Sequence, residues 1–163
     1  MDRLVPVLIL LCVFIGALAL MRAGWKSRAR AQSSFPAPPV EPSRPSGSGR
    51  VEEVGPFTGV YVSTTVEGLP LERVIAHSLG VRSRVQLSRT AEGDWYFDRE
   101  GEPPLLVEGS SVTGTGTAAG MAGKFIGGDG LFVLHWKLGD EPVQTGVRLD
   151  RREDHDRLLE VEV

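Results

Sequence analysis

The chain has 163 residues, with 18 basic and 21 acidic side chains and a single cysteine, so an intramolecular disulfide is excluded. Seven of the basic residues but only two of the acidic ones precede residue 51, which leaves 11 and 19 and a net charge of −8 for residues 51–163. That balance argues against a nucleic-acid partner, whose binding rests on neutralising phosphates.

Residues 4–21, LVPVLILLCVFIGALALM, carry no charge. As a helix at about 1.5 Å per residue, this run spans roughly 27 Å, close to a bilayer core. A transmembrane anchor is therefore expected over residues 1–25. It begins at Leu4 and is followed by Arg22, Trp25 and Lys26, with the Trp25 ring at headgroup level. Pro6 falls in the first turn, where a missing N–H costs little. Ala17-Leu18-Ala19 has the small-x-small form of a cleavage site. The front of the run, however, carries only Arg3 opposed by Asp2, whereas Arg22, Lys26, Arg28 and Arg30 follow it. A secretory peptide has the opposite bias. Cys12 follows Leu10 and Leu11, without the small residue of a lipoprotein site. The expectation is an uncleaved single-pass anchor in the cell membrane, N-terminus outside and the rest cytoplasmic.

Residues 26–54 are dominated by Pro, Ser, Gly and Arg and read as a flexible linker, since such a composition buries too little apolar area to offset its ordering entropy. Pro36, Pro38, Pro39 and Pro42 favour extended conformation and give the tether some stiffness.

Residues 55–163 suffice for one small domain, and their periodicity is mostly two. FTGVYVSTT (57–65) is rich in β-branched and aromatic residues. In RSRVQLSRT (82–90), Val85 and Leu87 point one way and Arg84, Gln86 and Ser88 the other. GDWYF follows a Glu92-Gly93 turn, and LLVEGSSVTGT (105–115) reads as one bent strand or two short ones. In GLFVLHWKL (130–138), Phe132, Leu134, Trp136 and Leu138 share one face; Leu131, Val133, His135 and Lys137 share the other. A turn at Gly139-Asp140-Glu141 returns the chain into PVQTGVRLD as a hairpin. Short helices are expected over 70–79, with Pro70 near its start, and from Arg152 onward, with Asp150 as cap and Glu153 three residues later. The fold class is one transmembrane helix plus a mainly-β antiparallel barrel or sandwich with a short C-terminal helix.

GMAGKFIGGDG (120–130) raises the question of a phosphate loop. That motif needs a glycine at position 118, which is Ala118, and a hydroxyl at 125, which is Phe125. It also opens a helix, whereas a strand is expected here. The stretch reads instead as a tight β-connection, with Gly127, Gly128 and Gly130 supplying positive φ. His77, His135 and His155 lack ligand spacing, so no metal or cofactor is expected. No Gly-x-Ser-x-Gly elbow exists, the Asp98/Glu100 pair lies at a turn, and no catalytic residue is assigned. Arg82, Arg84, Lys124 and Arg148 are the candidate anion- or ligand-binding residues. Spacing of two puts Arg82 and Arg84 on one strand face.

Residues 122–150, AGKFIGGDGLFVLHWKLGDEPVQTGVRLD, resemble a group of small actinobacterial single-pass membrane proteins often encoded among pyrimidine-biosynthesis genes. The matching pieces are Ala122-Gly123-Lys124, Gly130-Leu131 with Trp136, and Thr145-Gly146 with Arg148; GVYVSTT (59–65) resembles the family's opening strand. Val147 stands where that pattern often has Phe. The resemblance covers most of residues 55–163. It implies a PH-like domain: two antiparallel sheets of seven strands in all, closed at one end by a C-terminal helix. It implies no activity, because PH-like folds host lipid, peptide and protein binding alike. The expected function is a membrane-tethered cytoplasmic binding or scaffolding module without catalysis. Its expected partners are the lipid bilayer and an unidentified protein. The alternatives are binding of an anionic headgroup or small ligand by the same domain, and a membrane-associated enzyme.

Overall fold

The computed structural model describes residues 4–32, 36–39, 52–128 and 130–160. It divides into two compact units, Met1–Ser34 and Phe35–Val163.

The first unit is one helix, α1, Leu4–Gln32. It runs past the anchor boundary expected at residue 25. Arg, Lys, Ala and Gln are good helix formers, and nothing between Lys26 and Gln32 interrupts the ladder. Side chains are described at residue 7 and over 9–22, and all are exposed, Arg22 included. Among the described residues no helix is long and apolar enough to cross a membrane. The side chains of Leu4, Trp25 and Lys26 lie outside those described, as do residues 33–35 and 40–51 of the expected linker.

The second unit is an antiparallel sheet. In chain order its strands are β1 Glu52–Val66, β2 Ser83–Thr90, β3 Trp95–Arg99, β4 Leu105–Val107, β5 Val112–Ala118, β8 Leu131–Leu138 and β9 Glu141–Leu149; between β5 and β8 lies a separate hairpin, β6 Gly120–Met121 and β7 Lys124–Phe125. The sheet order is β4-β3-β2-β1-β9-β8-β5. LLVEGSSVTGT is thus two strands, on opposite edges of the sheet, separated by a 3-10 turn at Gly109–Ser111. Helix α2, Arg152–Leu159, follows β9 and contacts β8 and β9.

The sheet is strongly rolled. Trp95 on β3 stacks on Phe132 on β8 at 5.5 Å, although four strand spacings separate them in the sheet order; a flat sheet would hold them roughly 19 Å apart. β1 serves both halves. Its residues 52–61 pair with β2 and 59–66 with β9, with an irregularity between Tyr61 and Ser63 where the strand changes course. The core inside this roll takes the faces that alternation predicts: Val85 and Leu87, then Phe132, Leu134, Trp136 and Leu138, with Leu158 of α2 closing it. Leu131 and Val133 point to the other face, into a smaller cluster with Val62, Met121 and Ala122.

Several sequence expectations fail. The helix expected over 70–79 is absent; only a 3-10 turn forms, at Ala76–Ser78, with His77 and Ser78 at positive φ. The segment's backbone groups bond outward instead. Val74 N–H donates to Thr64 O, while Glu72 O and Leu79 O accept from Val66 and Thr64 of β1. These bonds take the partners a helix would need. Asp150 is also not the cap of α2. The position before the helix is Arg151, without a side-chain capping bond, and Asp150 is engaged by Arg84. In the 120–130 stretch, Gly127 and Gly128 take the expected positive φ but Gly130 does not.

Pro36–Pro39 belong to the second unit. They line a groove of about 390 Å³ with Leu106, Trp136 and Leu138, so this part of the expected linker lies along the domain.

Candidate functional site

Cross-strand partners point to the same face of a sheet. Val60 pairs with Arg84 on one side and Arg148 on the other, so these arginines share a row on the outer face. Thr58 and Gln86 form the next row, with Asp98 beyond Gln86. Asp150, held by its N–H on Thr58 O at 3.0 Å, accepts both arms of the Arg84 guanidinium at 3.1 and 2.7 Å. This contact raises the Arg84 pKa further above its ordinary value. It also lowers that of Asp150, through the Arg84 hydrogen bond first; partial desolvation opposes the shift, and the Thr58 side chain and the charges of Arg84 and Arg148 add to it. Beside the pair is a depression of about 330 Å³ lined by Thr58, Arg84, Gln86, Asp98 and Glu100. Three carboxylates thus accompany two arginines, and an incoming anion meets mixed charge.

The other two candidates lie elsewhere. Arg82 is exposed and precedes β2, so the pleat that would align it with Arg84 starts only at Ser83. Lys124 is exposed on β7, in the second sheet. The structure therefore brings Arg84 and Arg148 into one row and leaves Arg82 and Lys124 outside it.

A second surface surrounds Lys124. Met121 pairs with Lys124 across a two-residue turn in which Ala122 and Gly123 both have positive φ. This is the backbone that matches strand twist in a tight hairpin. The hairpin lies on the outer face of the sheet. Met121 occupies the space left by the missing side chain of Gly146, where a Cβ would come within 2.8 Å of its sulfur. Two bonds at 2.7 Å tie the hairpin to the β1–β2 connection: Ala122 N–H to Pro70 O, and Arg73 Nη2 to Ala122 O. Around this joint Leu69, Leu71, Phe125 and Ile126 stay exposed, Leu71 at 77% and Phe125 at 83%. Sequence reasoning tested Lys124 for phosphate chemistry and passed over Phe125-Ile126. An apolar pair between Lys124 and Gly127-Gly128 was the available signal.

Inside the roll runs a chain of buried hydrogen bonds. Trp136 Nε1 donates to Thr145 Oγ1 at 2.9 Å, Thr145 and Thr64 hydroxyls meet at 2.7 Å, Thr64 and Tyr61 at 2.6 Å, and Tyr61 donates to Leu79 O at 2.9 Å. An indole N–H only donates and a carbonyl only accepts, which sets the direction of both intervening hydroxyl bonds, from Thr145 to Thr64 and from Thr64 to Tyr61. Arg99 lies 4.9 Å over the Tyr61 ring and donates to Ser78 O and Pro103 O. Burial pushes the Tyr61 phenol up to about 12, against smaller opposing effects of Thr64, Arg99 and Thr145. This network fixes the 76–79 segment and the core; it has no opening to solvent at Tyr61, Thr64 or Thr145. Among the described residues no group of three His, Cys, Asp or Glu is placed to hold a metal ion.

A rolled antiparallel sheet closed by a C-terminal helix is the architecture into which the chain's sequence also falls. The family model described as bacterial PH domain-like matches residues 34–162. The chain belongs to this bacterial PH domain-like family. No curated protein and no solved structure matches it. The match starts ahead of β1 and includes Pro36–Pro39, in keeping with their place along the PH-like domain.

Proposed function

We propose that the chain is a membrane-tethered module whose PH-like domain binds or scaffolds a partner at the cytoplasmic face. Membership in the PH-like family supports a binding or scaffolding role and gives no reason to assign catalysis. The observation that carries the tether is the first unit. Over residues 9–21, α1 exposes Ile9, Leu10, Leu11, Val13, Phe14, Ile15, Leu18, Leu20 and Met21 within an uncharged run, and its own unit offers no core to bury them. Such a surface is costly in water and favourable in hydrocarbon. The four basic residues after the run favour a cytoplasmic domain.

Alkaline carbonate extraction of membranes tests the tether; the chain is expected in the pellet, and release into the supernatant overturns the reading. A cysteine added at the C-terminus tests topology. An impermeant thiol reagent should label it only after lysis, and labelling of intact cells reverses the orientation. Anion binding at Arg84 is the weaker reading, since Asp150 already occupies its guanidinium and Asp98 and Glu100 line the adjoining depression.

A further inference from the structure

We infer that Leu69, Leu71, Phe125 and Ile126 form an apolar edge that inserts into the interfacial layer of a lipid bilayer; the inference rests on the tethered reading above. The four side chains come from two connections far apart in sequence, the β1–β2 loop and the region of the β6–β7 hairpin. The bonds from Ala122 to Pro70 and from Arg73 to Ala122 hold these connections together. The joint is anchored below by the Val62, Met121, Ala122, Leu131 and Val133 cluster. The edge is therefore supported from beneath and apolar on top. Lys124 is exposed and precedes Phe125 in β7, which makes it a labelling position at this joint.

A bilayer fits this edge better than a second copy of the chain. A stable protein interface takes about 20–30 residues a side with matched shapes, and four side chains on two turns supply far less. A bilayer asks for no shape match, and an anchored chain meets it at high effective concentration, so a small apolar area suffices. The net charge of −8 from residue 51 onward works against general attraction to anionic lipid. The contact is accordingly apolar and insensitive to salt, unlike a lysine–headgroup contact.

The test uses the full chain in phosphatidylcholine vesicles, with Cys12→Ser and a solvatochromic thiol dye at Lys124→Cys; a Glu100→Cys chain is the control. At position 124 the dye is expected to shift to the blue, to be quenched by brominated lipid, and to resist iodide, with no change between low and moderate salt. At position 100 iodide should quench it fully. Adding Leu71→Ser and Phe125→Ser, both at exposed sites, should abolish the lipid quenching at 124. Iodide quenching at 124 equal to that at 100 overturns the inference, as does lipid quenching that survives the double serine variant. Protection from both quenchers overturns it in favour of a protein contact, and loss of the signal on raising salt overturns it in favour of headgroup electrostatics. Alkaline extraction of the same vesicles separates the two readings. A chain that stays bound but shows no lipid quenching at 124 sinks the edge alone. A chain stripped at alkaline pH yet lipid-quenched at neutral pH sinks the tether alone.

Discussion

Thr145 sits between Trp136 Nε1 and Thr64 Oγ1, fully buried, as the hinge of a one-way hydrogen-bond chain. Thr145→Val keeps the shape but strands the indole N–H and leaves the Thr64 hydroxyl without its donor. A buried group left unpaired costs about 1–3 kcal/mol. Urea unfolding of residues 35–163 should show a loss of that size. Tyr61, at the far end of the chain, makes stability depend on pH on the alkaline side. Its folded pKa of about 12 lies above the ordinary value of 10.0, so the folded state holds the proton longer than the unfolded state. The contribution is fully present below pH 10 and declines as pH rises toward 12, by roughly 1.4 kcal/mol per pH unit. Urea midpoints measured between pH 9 and 12 should fall in this window, and Tyr61→Phe should flatten the slope. The alternation of residues 132–138 reveals Trp136 as a core residue. It says nothing of Thr145 or Tyr61 as partners, because Trp136 reaches Thr145 nine positions on and Thr145 reaches Thr64, beside Tyr61, only across 81 positions of sequence.

At the scale of elements, α2 is eight residues long, too short to be stable alone in water. Packing on β8 and β9 through Leu158 and His155 holds it in place. Leu158→Ala should therefore lower stability by about 2–5 kcal/mol. Leu159→Ala, one position on and 37% exposed, should change it much less. Urea midpoints of the two variants of residues 35–163 give the comparison. The segment 70–79 shows the opposite outcome. Its composition suits a helix, but β1, Tyr61 and Arg99 claim its backbone groups at Glu72, Val74, Leu79 and Ser78, and it becomes a strapped loop. Local propensity contributes tenths of a kcal/mol per residue and yields to such a set of bonds.

For the whole molecule, the order of parts matters: an apolar helix, a Pro-rich segment, and a PH-like domain. The charge bias around residues 4–21 opposes signal-peptide processing. The mature chain should carry its full N-terminal segment, read by intact-mass measurement of membrane-extracted protein. A species beginning near Leu20 would show cleavage and remove the proposed anchor from the working protein. The rolled sheet explains why the four basic residues singled out in the sequence do not make one site. Arg84 and Arg148 meet across Val60, whereas Lys124 belongs to a separate two-stranded sheet and Arg82 precedes its strand.

The sequence by itself determined the features that depend on neighbours within a few residues. These are the uncharged run at 4–21, the inward faces of residues 85–87 and 132–138, the turn at Gly139, and α2 from Arg152 onward; hydrophobic periodicity and turn chemistry are local signals. Only the tertiary structure decided where distant segments meet. It split residues 105–115 between opposite sheet edges, turned Asp150 from helix cap to partner of Arg84, and joined Pro70 to Ala122, which ties the loop of the exposed Leu71 to the hairpin of the exposed Phe125. Each of these outcomes rests on hydrogen bonds or ion pairs between groups more than 50 residues apart, or on which sheet edge a strand joins, and no local pattern encodes either.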